Sequence, residues 1–379
     1  MQTQNREVDM ASERFIETGK NTFYGEYIYD RVVPKDHFFR KLNTMLDWRK
    51  YTQKMMRWYK GRAEYGRPPF DPAVLLKMLL VAYLYNLSER QTEQYINDSM
   101  SAKYFLGLGM DQFAPDHSTL TKFKRRMIER KRELKLEQLL ADIVQTALEK
   151  GIRFGSIQLV DSTHSVADVN TAKEAGREKN GKGPTDPDAH WGCKGKRTKR
   201  GPGGKKTTWK KFFYGYKAHV SMNSENHLIT SVITTPGNAF DGHFLQPLIE
   251  TDLQKHVPMK IVAADRGYDD SRNHYWLERT GIQSAICLND YRTQKKDSNK
   301  EIWQEMKANP MYLAGLKERY KIERKFGEGK QQHGLGRCRY HGLDRYEIQA
   351  LLTAMALNLK RMVKLLYGVN FKNPSLVIA

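Results

Sequence analysis

Two short stretches constrain the fold of this chain more than any other feature. GSIQLVDSTHSV runs apolar through Ile157, Leu159 and Val160 and then meets Asp161; MKIVAADRGYDD runs through Ile261, Val262, Ala263 and Ala264 into Asp265. Short apolar runs that stop on a polar residue read as strands of an α/β sheet buried on both faces. Ligands of such sheets bind at the carboxyl ends of the strands. One aspartate there is often only the N-cap of the next helix. Two of them in a basic chain suggest a shared anionic cluster. Neighbouring carboxylates repel unless a cation lies between them, and hard oxygen ligands favour Mg²⁺ or Mn²⁺.

The chain carries a formal charge of +21 over 379 residues. Its pI is near 9.6 and its mean hydropathy is −0.71. With 39% hydrophobic and 11% aromatic residues it can still bury proper cores, which excludes a disordered chain. A protein this basic repels itself unless it works against a polyanion, and nucleic acid is the usual one. Cys193, Cys287 and Cys338 are far apart and form no CxxC, which argues against a disulfide framework or a zinc ribbon. His190 and Cys193 alone make too few ligands for a metal. With no signal-peptide pattern and no apolar run long enough to span a bilayer, the expectation is a cytoplasmic protein without a membrane, nucleoid-associated when bound to DNA.

Three regions emerge from the patterning. Residues 1–35 are polar and read as a flexible N-terminal segment. Residues 36–150 read as a helical DNA-binding domain. In FDPAVLLKMLLVAYLYNLSERQTEQYI, Asp71 is the expected N-cap with Pro72 at the first helical position, and Ser88 with Gln91 reads as a capping box. After a turn-rich stretch, STLTKFKRRMIERKR opens at Ser118 and presents Lys122, Lys124, Arg125 and Arg126. This pattern suits a helix-turn-helix whose second helix touches DNA, and equally a solvated basic helix on a bundle.

Residues 151–379 read as α/β, with a basic Gly/Lys-rich insertion at about 171–211 expected to be a loop that tracks phosphates. FFYGYKAHVSM and HLITSVITTPG read as a hairpin, 244–254 as a helix and 291–300 as a polar segment. Two helices close the chain, Pro310 to about Phe326 and about Leu343 to Leu366. Lys217 on YGYKAHV is a candidate DNA contact. His164 is a poor candidate for a general base, and Asp241 reads as a turn or cap residue.

A third carboxylate should come from the helix after Pro310, which offers Glu318, Glu323 and Glu328. At about 100° per residue, Leu313, Leu316 and Tyr320 define one face. Glu323 projects close to Leu316, and Glu318 projects away from that face. Arg319 precedes Glu323 by one turn, and Lys330 falls near the same azimuth.

These residues carry a resemblance. Asp161 after one strand, Asp265 in ADRGYD, and Arg319, Glu323 and Lys330 in the spacing R-x3-E-x6-K resemble the DDE transposases of bacterial insertion sequences, in the branch with a Y-x2-R-x3-E-x6-K signature. Leu316 stands where that signature has tyrosine. GRPPFDPAVLLKMLLVAYLYNLSERQTEQYI and FLGLGMDQFAPDHSTLTKFKRR are similar to the family's N-terminal DNA-binding region. DPDAHWGCKG, FYGYKAHV, TTPGNAFDG and HGLDRYEIQALLTAMALNLKRM are similar to stretches within and after its catalytic core, so the likeness runs from about 37 to 366.

The resemblance implies an RNase H-like catalytic core, a mixed sheet flanked by helices, behind an all-α, helix-turn-helix-like domain. It implies Asp161, Asp265 and Glu323 as catalytic residues and ligands of two Mg²⁺ ions, with Mn²⁺ able to substitute. It implies an endonuclease and polynucleotidyl transferase that cuts at transposon ends and joins the 3′-hydroxyl to target DNA. Arg319, Lys330 and Arg266 would contact that DNA. The partners implied are terminal inverted-repeat DNA, target DNA and a second copy in a homodimer or higher synaptic complex. Two other readings share the fold: a sequence-specific regulator that has lost catalysis, and a nuclease or resolvase that cuts without joining.

Overall fold

The computed structural model describes residues 15, 16, 18, 19, 23–59, 68–201, 206–289 and 300–371. Residues 1–14 of the N-terminal segment, 202–205 of the basic insertion and 291–299 of the polar segment lie outside them. The helices that open the chain are α1 Phe23–Val32, α2 Phe38–Met45, α3 Trp48–Met55, α4 Pro72–Leu84, α5 Glu89–Asp98, α6 Met100–Leu106, α7 His117–Glu129 and α8 Leu136–Glu149. The α/β part continues as β1 Ile157–Val166, α9 Thr171–Lys179, β2 His190–Arg200, β3 Lys206–Asn223, β4 Ile229–Pro236, α10 Leu245–Gln254, β5 Ile261–Ala264, α11 Ser271–Arg279 and β6 Gln283–Ile286. The remaining helices are α12 Lys300–Ala308, α13 Pro310–Glu318, α14 Tyr320–Gln332 and α15 Leu343–Tyr367. The chain divides into two compact units, Met1–Leu139 with Leu359–Ala379, and Leu140–Asn358; the division falls within α8 and within α15. Among the described residues no helix is long and apolar enough to cross a membrane.

The first unit is built around α4, all thirteen residues of which are buried. Asp71 starts it by accepting from the Ala73 N–H at 2.7 Å, with Pro72 in the first turn where its missing N–H costs nothing. Ser88 and Gln91 form the reciprocal capping box of α5. Phe39 and Phe105 stack at 4.7 Å beneath these helices. The basic helix α7 begins at His117, one residue before the expected start, because Asp116 and not Ser118 supplies the cap. No simple turn joins α5 to α7. Ser99 caps a further helix, α6, which ends on Gly107 at φ 84°, a left-handed conformation open to glycine.

The sheet of the second unit explains why its strands end where they do. β1 pairs parallel with β5 and β5 with β6, while β3 runs antiparallel to both β1 and β4. The order β4-β3-β1-β5-β6, with β3 alone reversed, is that of the RNase H-like fold expected from the sequence. On one face α10 and α11 bury Val160, Val262, Ala264, Leu245, Leu248 and Leu277. On the other face Tyr346 of α15 bonds Ser165 of β1 at 2.8 Å and stacks on Tyr216 of β3 at 4.9 Å.

Three expectations need correction. The N-terminal segment 1–35 is not flexible throughout: it holds α1, whose Tyr29 is buried and donates its hydroxyl to the Leu108 carbonyl at 2.8 Å. The basic stretch 171–211 is not a loop: it holds α9, then β2, then the first residues of β3, and β2 pairs antiparallel with β3 through residue 206. Composition hides this, since the strand-forming Thr207, Thr208, Trp209 and Phe212 are interspersed with lysines and the segment has water on both faces. The helix after Pro310 is two helices, α13 and α14, that meet at Arg319.

Candidate active site

The register of β1 and β5 creates the site. Their last aligned pair is Val160 with Ala264. Asp161 and Asp265 therefore come next at the same level on neighbouring strands, roughly 5 Å apart in the hydrogen-bonding direction. Val160 belongs to the α10–α11 layer, so the alternation of β1 turns Asp161 to the face that α14 covers. Asp265 caps the short helical turn after β5, its Oδ1 accepting from the Gly267 N–H at 2.7 Å. Burial, and then the negative charge of Asp265, push the Asp161 carboxyl up to about 7; the Ser162 N–H at 2.8 Å and the Arg319 charge oppose that rise only in part. The carboxylate oxygens of Asp161 and Asp265 are hard donors that suit a small divalent ion, whose charge would offset their mutual repulsion.

Glu323 is close enough to add to the field at Asp161. Its side chain does not point inward as the helical azimuth suggests: it is 57% exposed and bonded to Arg319 at 2.8 Å. The buried face of α13 and α14 includes Tyr312, Gly315, Ile322, Phe326 and Gly329, whereas Leu313 and Tyr320, two of the three residues expected to define it, are exposed. The cause lies at the junction, where Arg319 N–H bonds Leu316 and Ile322 N–H bonds Arg319, both i to i−3. Such tightened turns rotate everything beyond them relative to a continuous α-helix. The ligand atoms of Asp161, Asp265 and Glu323 do not all lie within 4.8 Å of one another.

Arg319 and Lys330 both act electrostatically on Asp161 or are acted on by it. Lys330 is half-buried, and desolvation with Lys194 lowers its pKa while Asp161 raises it. Arg266 is exposed directly after Asp265. Lys217, a candidate DNA contact, is instead held inside the protein: its Nζ donates to the Ala239 carbonyl and to Asp241 Oδ1, each at 2.8 Å. Asp241 is thus more than a turn residue, because it fixes Lys217 and lies 3.8 Å from the buried His219 Nδ1. Sequence reasoning misses Tyr268. Its hydroxyl is buried beside Asp161, Asp241 and Asp265, and burial, reinforced by those charges, raises its pKa well above the ordinary value. The tyrosine of ADRGYD, three residues past Asp265, is the signal that could have found it. His164 rests on the Phe213 ring at 4.8 Å, and burial with the charges of Lys330, Lys194, Lys211 and Lys217 pushes it down to about 3.

In the first unit the four basic residues of α7 do not share a surface. Lys122 and Arg125 are exposed, the latter 3.5 Å from Glu129. Lys124 is not available to DNA: it is 7% exposed and its ammonium pairs with Glu89 of α5. Arg126 lies over the Tyr59 ring at 4.4 Å. Among the described residues, the group whose ligand atoms all lie within 4.8 Å is Glu93, Asp116 and His117. Its members are already bonded, Glu93 Oε2 to the His117 N–H and Nδ1 and Asp116 to the Ser118 N–H, as a helix start requires.

The family described as Transposase DDE domain matches residues 153–359, and Transposase domain (DUF772) matches residues 27–126. Among solved structures, a piggyBac transposase synaptic complex with hairpin DNA is similar at a TM-score of 0.43 and 10% identity, over 92% of this chain and 77% of that one. A Mos1 transposase paired-end complex with left transposon end is similar at 0.20 and 12%, over 80% and 82%. The first of the two family matches spans more than half of the 379 residues and contains Asp161, Asp265 and Glu323. The chain belongs to the DDE transposases.

Proposed function

We propose that Asp161, Asp265 and Glu323 form the catalytic centre of a Mg²⁺-dependent transposase that nicks DNA at transposon ends and joins the freed 3′-hydroxyl to target DNA. The observation that carries this reading is the side-by-side placement of Asp161 and Asp265 at the ends of parallel strands, with Asp161 pushed up to about 7. Two Mg²⁺ ions, or Mn²⁺ in their place, would let both aspartates ionise and would make water and then the 3′-hydroxyl competent nucleophiles at phosphorus. The protein's own part is positioning and neutralisation. Glu323 leaves Arg319 to join the aspartates, a change within reach of an exposed glutamate rotamer. Arg319, so released, and Lys330 bring positive charge to the phosphate being cut. Arg266, Lys122 and Arg125 contact the DNA on either unit. Terminal inverted repeats and target DNA are the substrates, and a homodimer or larger synaptic assembly pairs the ends.

The test is cleavage and joining of a labelled duplex that carries the element's terminal repeat, in Mg²⁺ or in EDTA. Glu323→Gln is expected to lower both steps by roughly 10²-fold or more while leaving DNA affinity within a few-fold of wild type. Binding without cleavage under any divalent metal would sink the enzymatic reading. Full activity in Glu323→Gln would remove that residue from the centre. Lys122→Ala and Arg125→Ala are each expected to weaken DNA binding a few-fold and to reduce the slope of log K against log salt by about 1. An unchanged slope in both would remove α7 from the DNA surface.

A further inference from the structure

On the N-terminal side of Gly215 the strand β3 leaves the sheet. Its pairing with β1 ends at Val166–Gly215 and its pairing with β4 at Tyr216–Pro236; Tyr214 still accepts from the Ala167 N–H, and beyond Phe213 toward residue 206 the strand pairs, among the described residues, with β2. Closely packed glycines fix the root: a Cβ on Gly215 would lie 2.1 Å from the Ser165 carbonyl oxygen, and one on Gly192 would lie 2.3 Å from that of Gly237. Outward from this root, residues 207–212 are exposed without interruption, about 20 Å of chain. A two-stranded ribbon of this kind is marginally stable alone.

Its surface states what covers it. Between His190 and Tyr214 the sequence has nine lysines and arginines and no acidic residue. Two large aromatics stand out into solvent, Trp209 at 47% and Phe212 at 54% exposure. Strand alternation puts them on opposite faces: Trp209 with Lys211 and Thr207 on one, Phe212 with Lys210 and Thr208 on the other. A ribbon lying in a groove would turn one face to water and would need only one aromatic. Aromatics and lysines on both faces suit a polyanion that passes on both sides. Lys211 and Lys194, at the root, reach electrostatically to His164, as does Lys330, so the ribbon starts beside the catalytic pocket.

We propose that the β2–β3 ribbon is a wedge that parts the two strands of the DNA next to the cut, stacking Trp209 on a base of one strand and Phe212 on a base of the other. The inference rests on the DNA-cleavage reading, since it takes the wedged DNA to be the same DNA that enters the site. Stacking on an aromatic is tolerant of sequence and every base offers a face for it, while the lysines track the two backbones.

The experiment measures binding of the full chain in EDTA, where no cleavage occurs, to a blunt duplex and to the same duplex with three unpaired bases at its end, one of them 2-aminopurine. Wild type is expected to prefer the frayed end by about 5- to 150-fold for each base stacked, and to quench the probe. Trp209→Ala and Phe212→Ala should each reduce that preference and leave the blunt affinity and the melting temperature unchanged. Lys210→Glu with Lys211→Glu should weaken binding of both DNAs. Equal affinity of wild type for both ends, or a preference untouched in both aromatic variants, would overturn the wedge. Displacement of frayed and blunt DNA alike by polyglutamate, with no aromatic effect, would overturn it in favour of an acidic protein partner. A chain that prefers frayed ends and never cleaves defeats the catalytic reading and leaves the wedge standing; a chain that cleaves but shows no preference does the reverse.

Discussion

Asp161→Asn is expected to abolish strand cleavage, by roughly 10³-fold or more, and at the same time to stabilise the metal-free protein at pH 8. Both effects have one origin. In the fold, burial and Asp265 push the Asp161 carboxyl from the ordinary range up to about 7. A raised pKa means that the folded chain keeps a proton that the unfolded chain has already lost. The stability this proton contributes is fully present below about pH 4 and is lost as pH rises to about 7. Above that range the metal-free fold carries an ionised carboxylate beside a second one. The size of the rise corresponds to about 2–4 kcal/mol, the lower figure allowing for the solvent that reaches the side chain. Asparagine removes the charge and its carbonyl oxygen can still accept from the Ser162 N–H. Thermal melts in EDTA at pH 5 and pH 8 check the prediction: wild type should lose roughly 5–10 °C between them in excess of Asp161→Asn. Parallel pH dependence in the two proteins would show that Asp161 is ionised at no cost, and would leave the cation between the aspartates supported by their placement alone.

The two aspartates are legible in the sequence because strands buried on both faces leave an unbroken apolar run, and a charge that ends such a run has few places to be. The parallel pairing that sets them level is not, since β1 and β5 are far apart in the chain and register is a tertiary property. The azimuth argument for Glu323 fails at one residue. It assumes a continuous helix from Pro310, and the i to i−3 bonds around Arg319 break that continuity while leaving the i, i+4 relation of Arg319 to Glu323 intact. Local spacing survives and absolute direction does not.

The same distinction separates the lysines. Lys124 looks no different from Lys122 in KFKRR, and only Glu89, thirty-five residues earlier, makes it a buried ion pair. Likewise Lys217 is withdrawn from the surface by Asp241, a residue beyond the end of the neighbouring strand β4. The β2–β3 ribbon escapes a reading of composition for a different reason. Mean hydropathy registers burial, and a ribbon with water on both sides has none to register; its signal is the interleaving of threonines and aromatics with lysine.

Gly315→Ala is expected to destabilise the second unit, whereas Gly327→Ala is expected to stabilise it, although both glycines lie inside helices of the same region. On an open helix face, alanine is better than glycine by about 1 kcal/mol. Gly327 is such a place, with nothing within 4 Å of where a Cβ would stand, so the intrinsic gain should appear in full. At Gly315 a Cβ would stand 2.4 Å from the Ala285 Cβ on β6 and 3.1 Å from the Ile261 Cγ2 on β5. Neither neighbour is a flexible tip that can turn away, so α13 must lift off the sheet. Overpacking of this kind costs about 1–3 kcal/mol, which exceeds the propensity gain and reverses the sign; Gly315→Val should cost about 3 kcal/mol or more. Denaturant midpoints of the three variants decide it, and a stabilised Gly315→Ala would mean that α13 does not rest on β5 and β6 as described. The consequence reaches the site. α13 leads directly into Arg319 and then Glu323, so a helix lifted from the sheet carries both away from Asp161. Cleavage by Gly315→Ala should therefore fall even at temperatures where the variant is fully folded, and Gly327→Ala, on the far side of Glu323 in open space, should cleave as wild type does.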